Sequence, residues 1–182
     1  PNYLYTLPNE EVRSGYAEML KHGLIADLKY WNALKDYKSI HSGELLPYIH
    51  RSIEIKNKVV TEDPREDSLR KTLNFGHTLG HALENTYELS HGQAISIGMT
   101  YAAVISEQIF GFKNRHTLVA LLEKYGLPTY ASFNTTKALS VLQKDKKKTK
   151  DAVHYILLEK TGKAVIHTIS FATLEKIFKA FK

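Results

Sequence analysis

Two histidines four residues apart, each directly after a glycine, lie in the segment Arg70-Lys-Thr-Leu-Asn-Phe-Gly-His-Thr-Leu-Gly-His81. A third histidine opens the next patterned stretch, Ser90-His-Gly-Gln-Ala-Ile-Ser-Ile-Gly-Met99. At helical spacing His77 and His81 share one face. Each glycine inside a helix costs about 1 kcal/mol relative to alanine. Gly76 and Gly80 therefore predict that another element, or a ligand, comes close to this helix. His91, after a turn, stands at a helix start from which it can fold back on the pair. Converging imidazoles can hold a divalent metal, and Arg70 and Asn74 beside them can hold an anionic, hydroxylated ligand.

The pair alone does not make a metal site, because buried helix contacts also use hydrogen-bonded histidines. A catalytic zinc takes three protein ligands and keeps one position open. Two neutral imidazoles and one carboxylate would leave a divalent ion with a single positive charge, suited to polarising substrate hydroxyls. Glu18, Glu84 and Glu88 are the candidate carboxylates, and spacing does not choose among them.

The remaining pattern is mainly helical. A first helix is expected from Asn9, as its cap, with Glu10 and Glu11 in the first turn, to about His22-Gly23. Asp27 should cap a second, with Leu28, Trp31, Leu34 and Tyr37 as a buried stripe. Residues 43–60 should form a third, with Leu46, Ile49, Ile53 and Val60 facing inward. Residues 61–67 read as a polar loop, residues 68–85 and 90–110 as the two motif helices, and Gly111 as a stop. Residues 116–125 and 136–144 give shorter helices, the first closed by Gly126 and Pro128. Residues 153–158 and 163–168 are β-rich runs around Thr161-Gly162, which predicts a small hairpin. Ser170 should cap a final helix bearing Phe171, Leu174, Ile177, Phe178 and Phe181. No internal domain boundary is apparent.

The chain has 182 residues, 43% of them hydrophobic, enough for one domain with a real core. Cysteine is absent, which excludes disulfides and thiolate metal sites and fits a reducing, cytoplasmic setting. No apolar run reaches transmembrane length, so no membrane partner is expected. The formal charge is +6. Its lysines and arginines are scattered apart from the run in residues 144–150, so an acidic small substrate is expected rather than nucleic acid. No glycine-rich strand-turn-helix fingerprint is present, so any nicotinamide site lies mostly outside this chain. The first residue is Pro1 rather than Met, and the chain reads as a fragment of a longer enzyme.

Arg70-x-x-x-Asn74-Phe-Gly-His-x-x-Gly-His81 followed by His91-Gly-x-Ala-x-x-x-Gly-Met99 resembles the signature of the 3-dehydroquinate synthase family. Gly15-Tyr-Ala-Glu-Met-Leu-Lys-His-Gly-Leu-Ile-Ala-Asp27 and Asp145-Lys-Lys147 resemble that family too. The match covers only the family's C-terminal, helical half. The resemblance implies the helical domain of the dehydroquinate synthase-like fold, residues 1–182, with the N-terminal NAD-binding α/β domain absent. It implies Glu18, His77 and His91 as ligands of Zn2+ or Co2+, which removes His81 from the ligand set. His81 is then the active-site histidine that contacts substrate and helps move a proton. Lys21, Arg70 and Asn74 are implied in catalysis and substrate binding, and Lys56 and Lys146 in substrate binding, with Lys147 the alternative to Lys146. Where the family usually has Glu after His-Gly, this chain has Gln93, which keeps hydrogen bonding and removes a charge.

The activity implied is that of a phosphate-eliminating lyase of the shikimate pathway, in aromatic amino-acid and chorismate biosynthesis. It would use NAD+ and zinc to cyclise 3-deoxy-D-arabino-heptulosonate 7-phosphate to 3-dehydroquinate. The chain alone is expected to be inactive and the whole enzyme homodimeric. Two other readings remain open. One is another sugar-phosphate cyclase or a polyol dehydrogenase on this fold, the latter opposed by Glu18 where dehydrogenases use Asp. The other is a non-catalytic metal-binding helical domain.

Overall fold

A helix that is apolar on all sides must be buried on all sides, and residues 94–106 form such a stretch. The computed structural model describes residues 4, 6–37, 45–145 and 151–181. Their elements in chain order are α1 (Asn9–Ala26), α2 (Leu28–Lys35), α3 (Leu46–Glu62), a 3-10 turn (Leu69–Asn74), α4 (His77–Glu84), α5 (His91–Phe110), α6 (Arg115–Lys124), α7 (Thr135–Asp145), β1 (Ala152–Lys160), β2 (Lys163–Ser170) and α8 (Phe171–Ala180). The class is mainly α with one C-terminal hairpin, as expected from the sequence. Every residue from Ala94 to Ser106 is buried, and α1, α4, α6 and β1 pack around this stretch. Among the described residues no helix is long and apolar enough to cross a membrane.

The contact between α4 and α5 depends on missing side chains. A Cβ on Gly98 would lie 1.9 Å from the Gly76 carbonyl oxygen, and one on Gly80 would lie 2.8 Å from Ile95 Cδ1. Gly76 also adopts φ 83°, a left-handed conformation that disfavours side chains. The close approach anticipated from Gly76 and Gly80 is therefore the backbone of α5. The continuous motif helix expected over 68–85 is not formed. The chain makes the 3-10 turn, bends at Phe75 and Gly76, and restarts as α4, because the left-handed Gly76 ends one run and caps the next.

Other boundaries follow local chemistry. Pro8, not Asn9, precedes the first turn of α1. That helix runs past Gly23, whose bare Cα faces the Trp31 backbone 3.0 Å from where a Cβ would sit. The glycine serves the α1–α2 crossing and does not stop the helix. Asp27 caps α2 by accepting the Tyr30 N–H at 3.0 Å. Ser170 caps α8 by accepting the Thr173 N–H at 3.1 Å. Leu28 is exposed, unlike Trp31, Leu34 and Tyr37. The buried face of α3 is Ser52, Ile55 and Val59. The expected face is rotated out, with Leu46 and Ile53 exposed and Ile49 and Val60 half-buried. The stripe that faces inward is Ile55 and Val59, four residues apart, joined by a polar contact in which Ser52 Oγ meets His22 Nδ1 at 2.7 Å in the α1–α3 interface. The hairpin is fixed to α1 by the Gly162 N–H, which donates to the Leu24 carbonyl at 2.8 Å.

Two stability measurements follow. Gly98→Ala forces α4 and α5 apart, and overpacking of this kind costs about 1–3 kcal/mol. Its thermal midpoint should fall by several degrees, and an unchanged midpoint would mean that the contact is soft. His22 is buried, and burial, reinforced by the Lys21 charge, pushes its imidazole down to about 4. The unfolded imidazole takes its proton near pH 6.5, so the unfolded state binds more protons between those values. The stability contributed is full above about pH 6.5 and drains away as pH falls towards 4. His22→Gln should flatten part of that slope in thermal melts run from pH 7 to 4.5. An identical slope would assign it to other groups, among them His77.

Candidate metal centre and substrate cleft

The three helices that meet beside the glycine contact each bring one of the expected ligands. Glu18 lies on the inner part of α1, His77 is the first residue of α4, and His91 is the first residue of α5. One ligand atom from each lies within 4.8 Å of the other two, a spacing that one divalent ion can bridge. The His77 and His91 ring centroids are 5.6 Å apart. His77 and His81 share a face, with centroids 5.1 Å apart, but His81 is exposed and outside the group formed with Glu18. Of the candidate carboxylates, Glu18 joins His77 and His91, whereas Glu84 groups with His81 and His91. Glu88 belongs to neither group among the described residues.

The protonation states suit a cation. Burial, with the Lys21 charge second, pushes His77 down to about 4, so its ring is neutral near pH 7. Its Nδ1–H donates to the Phe75 carbonyl at 3.2 Å, which leaves the Nε2 lone pair free. Burial would raise the Glu18 carboxyl, but the Lys21 charge and hydrogen bond outweigh it and hold the group below the ordinary carboxylate range. Lys21 is 2% exposed and donates to Glu18 Oε2 at 2.7 Å. Burial pulls its ammonium down while Glu18 opposes the fall. The pair keeps Glu18 ionised and a cation within reach of whatever occupies the site.

A cleft of about 580 Å³ opens beside His77. It is lined by Asn74 and His81 on one side and by Val141, Leu142 and Lys144 of α7 on the other. Asn74 is held there by Glu66, whose Oε1 accepts from the Asn74 amide at 2.8 Å. Glu66 adopts φ 58°, an uncommon conformation for a side-chain-bearing residue. The loop is built around Asp63, whose carboxylate accepts the N–H groups of Asp67, Ser68 and Arg70 at 3.0, 2.8 and 2.9 Å. Those bonds, the one from Arg70 first, hold its carboxyl below the usual range. In the sequence Asp63 and Glu66 belong to the stretch 61–67 that reads as a polar loop.

The other expected residues divide. Lys56 is exposed on α3, and its charge acts on both Lys21 and His22. The Arg70 guanidinium donates to the Pro64 carbonyl at 2.9 Å and does not line the cleft. Lys146 and Lys147 lie outside the described residues, although Lys144, two residues earlier, lines the cleft. Gln93 uses its side-chain oxygen to accept the Ser90 N–H at 3.1 Å. It therefore fixes the helix start on which His91 stands, a hydrogen bond that the usual Glu would make equally well. The Nε2 of buried His22 has no hydrogen-bond partner among the described residues.

Comparisons with known proteins bear on the family and the fold. The family described as 3-dehydroquinate synthase C-terminal matches residues 15–148. A 3-dehydroquinate synthase of Listeria monocytogenes is 41% identical over 190 residues, covering 99% of this chain and 51% of that protein. One of Bacillus cereus is 33% identical over 189 residues, covering 99% of this chain and 52% of that protein. The chain thus spans about half the length of the curated relatives it matches. Among solved structures, a 2-epi-5-epi-valiolone synthase of Streptomyces hygroscopicus with NAD+ and Zn2+ bound superimposes with a TM-score of 0.84 at 22% identity, covering 99% of this chain and 53% of the other. A 2-deoxy-scyllo-inosose synthase complexed with carbaglucose-6-phosphate, NAD+ and Co2+ gives 0.78 at 24% identity, covering 97% of this chain and 53% of the other. These two establish likeness of fold. The match over residues 15–148 carries the assignment: this chain belongs to the 3-dehydroquinate synthase family, in its C-terminal region.

Proposed function

We propose that this chain supplies the metal-binding and substrate-binding half of a 3-dehydroquinate synthase. The whole enzyme would convert 3-deoxy-D-arabino-heptulosonate 7-phosphate to 3-dehydroquinate with release of phosphate. The observation that carries the reading is the convergence of Glu18, His77 and His91 beside a cleft lined by His81 and Asn74. The relatives at 41% and 33% identity bear the synthase name, which favours this reaction over those of the cyclases that share only the fold. The donor set is one carboxylate and two imidazoles, the chemistry of a catalytic zinc site. When bound, zinc or cobalt would polarise a substrate hydroxyl, and NAD+, held mainly by an N-terminal domain, would take up and return a hydride.

The chain's own residues divide the remaining work. Glu18, neutral His77 and His91 hold the metal, His77 kept uncharged by burial. Lys21, buried against Glu18, adds a fixed cation that favours alkoxide and enolate character in the substrate. Asn74, braced by Glu66, binds a hydroxyl and orients the ring carbons. His81 is exposed on the cleft wall, and an imidazole there can take a proton from carbon or oxygen and return it. Lys56, Arg70 and Lys146 are the groups proposed to hold the phosphate and carboxylate, Arg70 after leaving the Pro64 carbonyl. The whole enzyme is proposed to be a cytoplasmic homodimer.

The test is phosphate release from the heptulosonate phosphate, with NAD+ and zinc, by a polypeptide carrying this chain behind its N-terminal nucleotide domain. Chelator-sensitive release without net NADH is expected, and none from the 182-residue chain alone. Steady NADH production from a polyol, with no phosphate released, would overturn the reading in favour of a dehydrogenase. Turnover by the isolated chain would overturn its expected inactivity. His81→Ala should lower kcat by about 100-fold or more while leaving zinc affinity unchanged. Unaltered kcat would remove His81 from the proton path.

A further inference from the structure

His91 is the weakly held member of the proposed metal set. It is the first residue of α5, and its side chain is about half exposed, whereas His77 is half-buried and bonded to a backbone carbonyl. A solvated imidazole at a helix start has several rotamers open to it, and only some present a nitrogen to Glu18 and His77. One contact restricts that choice. His91 Nδ1 lies 3.2 Å from Glu84 Oε2. A carboxylate only accepts, so Nδ1 carries the hydrogen, and in the uncharged ring that a metal ligand requires the lone pair is on Nε2.

We propose that Glu84 is the positioning residue for His91. Through Nδ1–H it selects the tautomer and ring orientation in which Nε2 faces Glu18 and His77. The proposal rests on the reading that Glu18, His77 and His91 hold a divalent metal. Glu84 is the last residue of α4, seven residues after His77 and three after His81, so one helix face carries a ligand, the cleft histidine and the brace for the ligand on α5. The arrangement repeats the one at His77 with a stronger acceptor. The Phe75 carbonyl fixes a buried ring, and a carboxylate fixes an exposed one while raising the basicity of its free nitrogen.

A competing arrangement uses the same atoms. His81, Glu84 and His91 also place ligand atoms within 4.8 Å of one another, and Glu84 would then ligate a second ion. That ion would share His91 with the first. A histidine bridges two cations only after losing both ring protons, which neutral water does not permit unaided. Without His91 the second ion would keep only His81 and Glu84, with His81 exposed to solvent. Glu84 as a hydrogen-bond acceptor requires neither condition.

The experiment measures Zn2+ affinity and stoichiometry on this chain by competition with a chromophoric chelator, together with the visible spectrum of the Co2+-loaded chain. Glu84→Ala should bind one ion per chain, as the parent does, with affinity lowered about 10- to 100-fold and an altered cobalt spectrum. Glu84→Gln, whose amide oxygen still accepts the Nδ1–H, should lose less. It also carries the test should the alanine variant lose its far-ultraviolet dichroism. Affinity within twofold of the parent for both variants overturns the proposal. So does a fall from two ions to one on replacing Glu84, which makes it a ligand. Glu18→Ala separates the two levels of the argument. If it leaves affinity untouched, the metal reading itself fails. If it abolishes binding while both Glu84 variants bind normally, only the positioning role fails.

Discussion

The backbone contact between α4 and α5 governs everything that follows from this fold. With a Cβ on Gly98 only 1.9 Å from the Gly76 carbonyl, the backbones approach where the glycines carry no side chain. His77 begins α4 directly after Gly76, and His91 begins α5 seven residues before Gly98. Neither ligand can shift relative to the other without opening that contact. Helix packing in a close-packed interior is not continuously adjustable, so ligand separation is set by atoms too small to replace. The glycines weaken the local helix, and the positional accuracy they permit offsets that loss.

A second constraint is electrostatic. Lys21 is almost wholly buried, and a buried ammonium is costly unless paired. Its pair is the Glu18 carboxylate at 2.7 Å, itself one of the proposed ligands. The same desolvation that burdens Lys21 keeps His77 neutral, and neutrality is what an imidazole ligand needs. Charge in the site is thus arranged before any ion arrives: one carboxylate kept ionised, one imidazole kept uncharged and one cation held in reserve. Removal of Lys21 would free Glu18 from the group that overcomes its burial, so the lysine affects the metal even though it cannot ligate one.

The sequence disclosed the fold class and most element ends because those are written in local chemistry: Asp27 and Ser170 as caps, left-handed Gly111 and Gly126 as stops, Gly162 at the hairpin turn. The proposed ligands Glu18, His77 and His91 were accessible only through the long motif, since a glutamate on an amphipathic helix is ordinarily solvated. What stayed hidden depends on contacts remote in sequence. The buried face of α3 combines Ile55 and Val59 with Ser52, whose partner His22 is thirty residues away. Gly23 looks like a helix stop until Trp31 is seen against it. Glu66 and Asp63 carry no pattern at all, and their value comes from the loop that brings one to Asn74 and threads the other among three N–H groups.

The two sides of the site are built unequally. Lys21 is buried and Glu18 and His77 are partly buried, fixed by helix packing and by bonds within the chain. His81, Lys56 and Lys144 are exposed, and the Arg70 guanidinium is satisfied by the Pro64 carbonyl rather than aimed into the cleft. Metal binding needs fixed ligands at short range, and the core delivers them. Holding a flexible sugar phosphate through several steps needs groups that can close around it, and long exposed side chains can do so only when a facing surface excludes water. The chain spans about half the length of its curated relatives, and of these exposed groups His81 and Lys144 line the cleft. Metal affinity should therefore be a property of this half, and turnover a property of the two halves together.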